Sequence, residues 1–179
     1  MSTLQIGEPV PAWNVSQWFN TDDDPQLSDF RGRVVVVEAF QMLCPGCVID
    51  GLPLAQRIYR AFSQADVAVV GLHTVFEHHE VMQPAALKAF LAEYCIGFPV
   101  GVDQPSAGGL PETMTRYGLR GTPSLMIINR EGKLSAYHFG AVDDLRIGAA
   151  IGALVNNGGA DPMTEDAGVD QVCGLNGCS

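Results

Sequence analysis

Val34-Val35-Val36-Val37-Glu38-Ala39-Phe40, followed after three residues by Cys44-Pro45-Gly46-Cys47, is the stretch on which the fold turns. Four successive β-branched residues favour a strand, and an almost unbroken apolar run marks one that is covered on both faces. From Val48 onward, Leu52, Ala55, Ile58, Tyr59 and Phe62 recur at helical spacing, which predicts a helix over 47–63. Pro53 lies inside it and predicts a kink or a one-turn break. The two cysteines therefore fall in a tight turn between strand and helix. At i and i+3 they can close a small ring and cycle between dithiol and disulfide. Outside such a setting, C-x-x-C reads equally as half a zinc site.

The turn assigns the two thiols unequal parts. Cys44 stands at the carboxyl end of the strand and the amino end of the helix, where unpaired N–H groups and the helix dipole favour a thiolate. Pro45 suits a first helical turn, having no N–H to leave unpaired, and Gly46 leaves Cys44 sterically open. Cys47, one turn in, is expected to be shielded and to resolve a mixed disulfide formed on Cys44. Glu38 is a carboxylate on an otherwise apolar strand. If that strand is buried on both faces, the acid can carry protons to and from Cys47; an exposed or edge position is the plainer alternative. Gly121-Thr122-Pro123-Ser124 precedes another apolar run, and a proline at a strand entrance cannot donate to the ladder. A cis Thr122–Pro123 bond is one reason for it to be there.

The rest of the chain supplies the frame. Residues 10–20 read as short edge strands carrying Trp13 and Trp18. A second buried strand is predicted over 67–72, a helix from Pro84 to about Cys95, a strand over 98–102, and a loop with a short helix over 108–118. Ser124–Asn129 and Leu134–Phe139 flank Arg130-Glu131-Gly132-Lys133, a hairpin signal. Asp143 or Asp144 can cap a last helix ending near Val155. The order βαβαβ, hairpin, helix implies an α/β domain over residues 1–156, with a mixed sheet and helices on both faces. Beyond it, residues 157–179 form a Gly-rich acidic tail with no Lys or Arg, ending in Cys173 and Cys178.

Composition excludes several functions. The chain has 179 residues, 47% of them hydrophobic, enough for one real core. Net charge is −10 and no Lys/Arg block occurs, which argues against nucleic acid or an anionic membrane as partner. No run is long enough to span a bilayer, and the first residues lack a basic and an apolar leader segment. With Met1 as the native start, the expectation is a cytoplasmic protein whose thiols are kept reduced.

Taken together, the Val34–Phe40 strand, Glu38, Cys44-Pro45-Gly46-Cys47 and Gly121-Thr122-Pro123 before the hairpin resemble the thioredoxin fold. The N-terminal Gly7-Glu8-Pro9-Val10-Pro11-Ala12 segment and the insertion over 83–103 look most like its TlpA/ResA-type redoxin branch. The resemblance implies a thioredoxin-like three-layer sandwich with an N-terminal β extension, and a thiol–disulfide oxidoreductase that reduces disulfides. It implies Cys44 as nucleophile, Cys47 as resolving thiol and Glu38 as buried proton carrier. It further implies a cis Pro123 packed on the cysteines, with Thr122 backbone groups holding the substrate beside Pro45 and Gly46. No metal or organic cofactor is required; the partners are a disulfide-containing protein or small molecule and a thiol electron donor. Leu43 and the Pro-Gly pair depart from the family's commoner residues. The peroxidases of the family carry P-x-x-x-T/S-x-x-C, and Val37 and Gln41 stand at its first two defined positions, against that chemistry.

Three features stand outside this frame. The loop His73-Thr74-Val75-Phe76-Glu77-His78-His79-Glu80 follows the second buried strand and is expected to border the cysteines, with His73 or Phe76 shaping the substrate wall. Cys95 reads as a small buried hydrophobe on the apolar face of its helix. Cys173 and Cys178 read as an inert end, as a second redox pair, or with Cys44 and Cys47 as a zinc site. A flexible tail reaches roughly 20–24 Å, against a domain radius of gyration of about 15 Å, so exchange with Cys44 and Cys47 is geometrically open. The rivals to disulfide reduction are therefore a thiol peroxidase and a redox-silent metal-binding module built on the histidine loop and the terminal cysteines.

Overall fold

Alternation along Val34–Phe40 builds the molecule from its centre outward. In the computed structural model, which describes residues 4–107 and 109–156, all seven residues of this strand are buried. The chain runs β1 (Val15–Phe19), β2 (Val34–Phe40), α1 (Leu52–Ala61), β3 (Val67–His73), α2 (Pro84–Glu93), β4 (Val100–Asp103), α3 (Glu112–Tyr117), β5 (Ser124–Ile128), β6 (Leu134–Phe139) and α4 (Asp144–Asn156). The six strands form one sheet in the order β1-β4-β3-β2-β5-β6. β2, β3 and β4 are parallel, while β1, β5 and β6 join antiparallel. The sheet is therefore mixed, as the element order requires.

Val34, Val36 and Phe40 face a core shared with α1, α2 and α4. Val35, Val37 and Ala39 face the other layer, made by α3, Leu27, Phe30 and the N-terminal residues Val10 and Trp13. Glu38 has the parity of the first face. Parallel pairing of β2 with β3, Val34 opposite Val67 through Phe40 opposite His73, brings the carboxyl ends of both strands to one edge. Cys44 leaves from that edge, which is where ligands meet open α/β sheets.

The helix over 47–63 is divided as Pro53 requires. An α-helical N–H at 53 would bond the carbonyl of Ile49, and proline has none. The turn Cys47–Gly51 widens to a π-type turn, with the N–H of Leu52 reaching back to the carbonyl of Cys47, before regular α1 begins. At the other end of the molecule, Asp143 Oδ1 accepts the N–H of Arg146 at 2.9 Å and caps α4.

Cys95 differs from its expected place. α2 stops at Glu93, and Cys95 takes a left-handed conformation (φ 53°) just past the end. The N–H of Ile96 then bonds the carbonyl of Leu91 at 2.9 Å, closing the helix. This reversal turns Cys95 out to solvent and gives the buried position to Ile96. No helix among the described residues is long and apolar enough to cross a membrane. The acidic tail with Cys173 and Cys178 lies outside the described residues.

Candidate active site

The end of β2 hands the chain to the cysteines through Gln41, whose carbonyl accepts the N–H of Cys44 at 3.2 Å. Cys44 is partly exposed and Cys47 has no exposed surface; both are free thiols. Cys44 Sγ accepts the backbone N–H of Cys47 at 3.2 Å and lies 3.5 Å from the carbonyl oxygen of Thr122, to which its S–H donates. The Cys44 sulfur is thus held between a helix-start N–H and a backbone carbonyl. Burial pushes the Cys47 thiol far above the ordinary thiol range, and its hydrogen bond with Cys44 adds to the effect. One sulfur is thus accessible and the other is sealed behind it.

Thr122–Pro123 is a cis peptide, and Pro123 is buried against the turn that carries the cysteines. Two glycines allow this approach. A Cβ at Gly46 would lie 3.2 Å from Pro123 Cδ. At Gly51 it would overlap Glu38 Oε1 and come within 2.9 Å of Pro123 Cβ. The absence of side chains at 46 and 51 lets the helix rest directly on Pro123 and Glu38. The Pro123 carbonyl is held by the N–H of Gly140 at 2.9 Å, so this segment is pinned from β6 as well.

Glu38 is 1% exposed, and its Oε1 has no hydrogen-bond partner. Desolvation raises its pKa from 4.5 to about 8. A carboxyl in that condition holds a proton at neutral pH and can exchange it with a neighbouring group.

The substrate wall is drawn differently from the expectation. β3 runs one residue further than predicted, and His73 is its last residue, 1% exposed and packed 5.3 Å from the Phe40 ring. Burial lowers its pKa to about 4, so it is neutral at physiological pH. Phe76 is half-buried and packs against the layer opposite the cysteines, whereas Val75 packs on the cysteine side. His78 and His79 are exposed, and no group of three potential metal ligands gathers among the described residues. Sequence reasoning missed two residues here. The buried Gln41 accepts the N–H groups of Phe76 (3.1 Å) and Glu77 (3.3 Å) on its side-chain oxygen, tying the loop to the cysteine turn. Gly51 was the other; a glycine inside a helical pattern was the available signal.

The model of the AhpC/TSA family matches residues 6–137. The crystal structure of a thioredoxin-like superfamily protein, SPOA0173, superposes with a TM-score of 0.81 at 57% identity, covering 83% of this chain and 96% of that one. A thiol-disulfide isomerase from Corynebacterium glutamicum superposes with a TM-score of 0.80 at 48% identity, over 84% and 97% of the two chains. Thiol-disulfide oxidoreductase ResA of Halalkalibacterium halodurans is 22% identical over 119 residues, 66% of this chain and 61% of its own length. The chain spans 18% of the length of Protein DipZ of Mycobacterium bovis, to which it is 27% identical over 131 residues.

Two outcomes are expected from Glu38 and Gly51. Below about pH 4.5 the Glu38 carboxyl is protonated whether the chain is folded or not. Between 4.5 and about 8 Glu38 ionises only in the unfolded chain, so its contribution to stability falls as pH rises, and above about 8 the loss is complete. Buried His73 adds an opposing rise below about 6.5 in both proteins, so the quantity to read is the difference: by urea unfolding, wild type should lose about 1.4 kcal/mol per pH unit relative to Glu38→Gln across this window. Equal slopes would contradict it. Gly51→Ala should destabilise by about 1–3 kcal/mol through overpacking, although alanine is intrinsically the better helix former by about 1 kcal/mol. Unchanged or increased stability would show that the contact is not tight.

Proposed function

From a chain that belongs to the AhpC/TSA family, we propose thiol–disulfide exchange at Cys44 and Cys47, run as the reduction of protein or small-molecule disulfides with electrons from a thiol donor. The observation that carries this reading is the paired exposure of the sulfurs: Cys44 open and accepting the Cys47 N–H, Cys47 buried immediately behind it. The Cys44 thiolate attacks one sulfur of the substrate disulfide, and the other sulfur leaves as a thiolate that takes a proton. Cys47 then loses its proton and attacks Cys44 Sγ. The second substrate thiol departs, and the protein keeps a Cys44–Cys47 disulfide. Two electrons pass from the dithiol to the substrate, and a donor dithiol returns them.

The other residues take parts in this sequence. Glu38, protonated at rest, first releases its proton and then accepts the one from Cys47, since a carboxylate in a desolvated site is a strong enough base to compete for it. The Thr122 backbone beside Cys44, with Pro123, Pro45 and Gly46, forms the bed for an extended substrate segment. Leu43, 57% exposed next to Cys44, adds apolar surface at that rim. Two observations bear on the peroxidase alternative. Gln41 stands where its pattern has Thr or Ser, and the Gln41 amide is engaged in holding the 76–77 backbone.

The test is insulin reduction with a dithiol donor. Cys44→Ser should fall to the uncatalysed rate, while Cys47→Ser should stall after one round as a mixed disulfide visible by mass spectrometry. Retained turnover in Cys44→Ser would overturn the assignment. Hydrogen peroxide consumption dependent on Cys44 and faster than disulfide reduction would favour the peroxidase.

A further inference from the structure

Glu38 needs a way to exchange protons with solvent, since its carboxyl has almost no surface of its own. A cavity of about 40 Å³ reaches it, room for roughly three waters. Asp50, Gly51, Leu54 and Arg57 form one wall, and the 140–142 connection with Asp144 forms the other. Oε1 of Glu38, which no protein group hydrogen-bonds, belongs to a residue lining this cavity. An unpartnered buried oxygen beside a polar cavity is the arrangement that ordered water completes. Asp50 is an exposed carboxylate on the same lining, and Arg57 Nε meets Asp144 Oδ2 at 2.6 Å across it, tying α1 to the start of α4.

We propose that this cleft is the proton route of Glu38, with Asp50 as the relay at its mouth and the Arg57–Asp144 pair fixing the spacing of its walls. The proposal rests on the reading of Glu38 as the proton partner of Cys47. Glu38, protonated at rest, first gives its own proton to the cleft water; in the resolving step the S–H bond of Cys47 then breaks and its proton passes to the Glu38 carboxylate. The sulfur bonds to Cys44 Sγ, and the substrate sulfur leaves. Glu38 then gives the proton to cleft water, Asp50 takes it on, and bulk solvent receives it. No electron moves along this route. The titratable or charged groups that line the cleft with Glu38 are Asp50 and Arg57 on the helix side and Asp144 at the start of α4; Cys44 and Cys47 lie in the turn that leads into that helix. His138 of β6 is in register with Leu125 and hence on the same sheet face. Of these, Asp50 is the carboxylate that both lines the cleft and lies open to solvent on the cysteine-bearing helix.

The experiment is stopped-flow reaction of the reduced full-length protein with 5,5′-dithiobis(2-nitrobenzoate). The first release of thionitrobenzoate reports attack by Cys44, and the second reports resolution by Cys47. Ala141→Trp, which narrows the mouth, and Asp50→Asn should each slow the second phase about tenfold, within the span of positioned proton transfer, and leave the first unchanged. Added imidazole should restore the second phase in Asp50→Asn, which a purely structural defect would not allow. A second phase unchanged in both variants while Glu38→Gln slows it would overturn the route and leave the Glu38 reading standing. A second phase unchanged in Glu38→Gln as well would overturn both. Should Ala141→Trp lose its far-ultraviolet circular dichroism signal, Asp50→Asn with and without imidazole decides alone.

Discussion

Contact between the cysteine-bearing helix and the Glu38–Pro123 surface is the constraint from which the rest follows. It is possible because residues 46 and 51 carry no side chain: any Cβ at 51 would occupy the space of a carboxylate oxygen and crowd a proline ring. Close approach has a cost, since glycine in a helix is less favourable than alanine by about 1 kcal/mol. The wide turn at Cys47–Gly51 and the missing N–H of Pro53 also weaken the first turns of this helix. Burial of Leu52, Leu54, Ala55 and Ile58 in the main core offsets those losses and keeps the helix seated.

Seating it so closely buries two reluctant acids, one on β2 and one on the turn that leads into the helix resting on it. Glu38 is raised to about 8, and the Cys47 thiol is raised too, both chiefly by burial. Adding a charge to either group alone is unfavourable. Moving one proton from the thiol to an ionised carboxyl leaves the net charge of the pair unchanged, so that step avoids a second desolvation penalty. The outer thiol is partly exposed, with a helix-start N–H directed at its sulfur. Division of labour between the cysteines is therefore a consequence of depth.

Much of this was legible in the residues because it rests on local regularities. Four valines in a row, helical spacing from Leu52 to Phe62 and the Arg130–Lys133 turn place β2, α1 and the β5–β6 hairpin, and from these the mixed sheet follows. Burial of Glu38 followed from the apolar run only on the condition that the strand is covered on both faces, which the central place of β2 in the sheet meets. What escaped depends on where an element stops or on contacts between distant segments. One additional residue of β3 carries His73 under the surface. A left-handed residue two positions past the end of α2 reverses Cys95 from inside to outside. Gln41 and Gly51 act through partners 13 to 72 residues away, Glu38 and Pro123 among them, which no periodicity reveals.

The central claim is that a protonated carboxyl sits behind the cysteine pair at neutral pH. Infrared difference spectroscopy of the reduced protein, comparing wild type with Glu38→Gln across a pH titration, reads that proton directly. The account predicts a carboxylic acid C=O band, absent from the variant, that persists at neutral pH and disappears around pH 8. A Glu38 band that vanishes near the ordinary carboxyl value of 4.5 would contradict it.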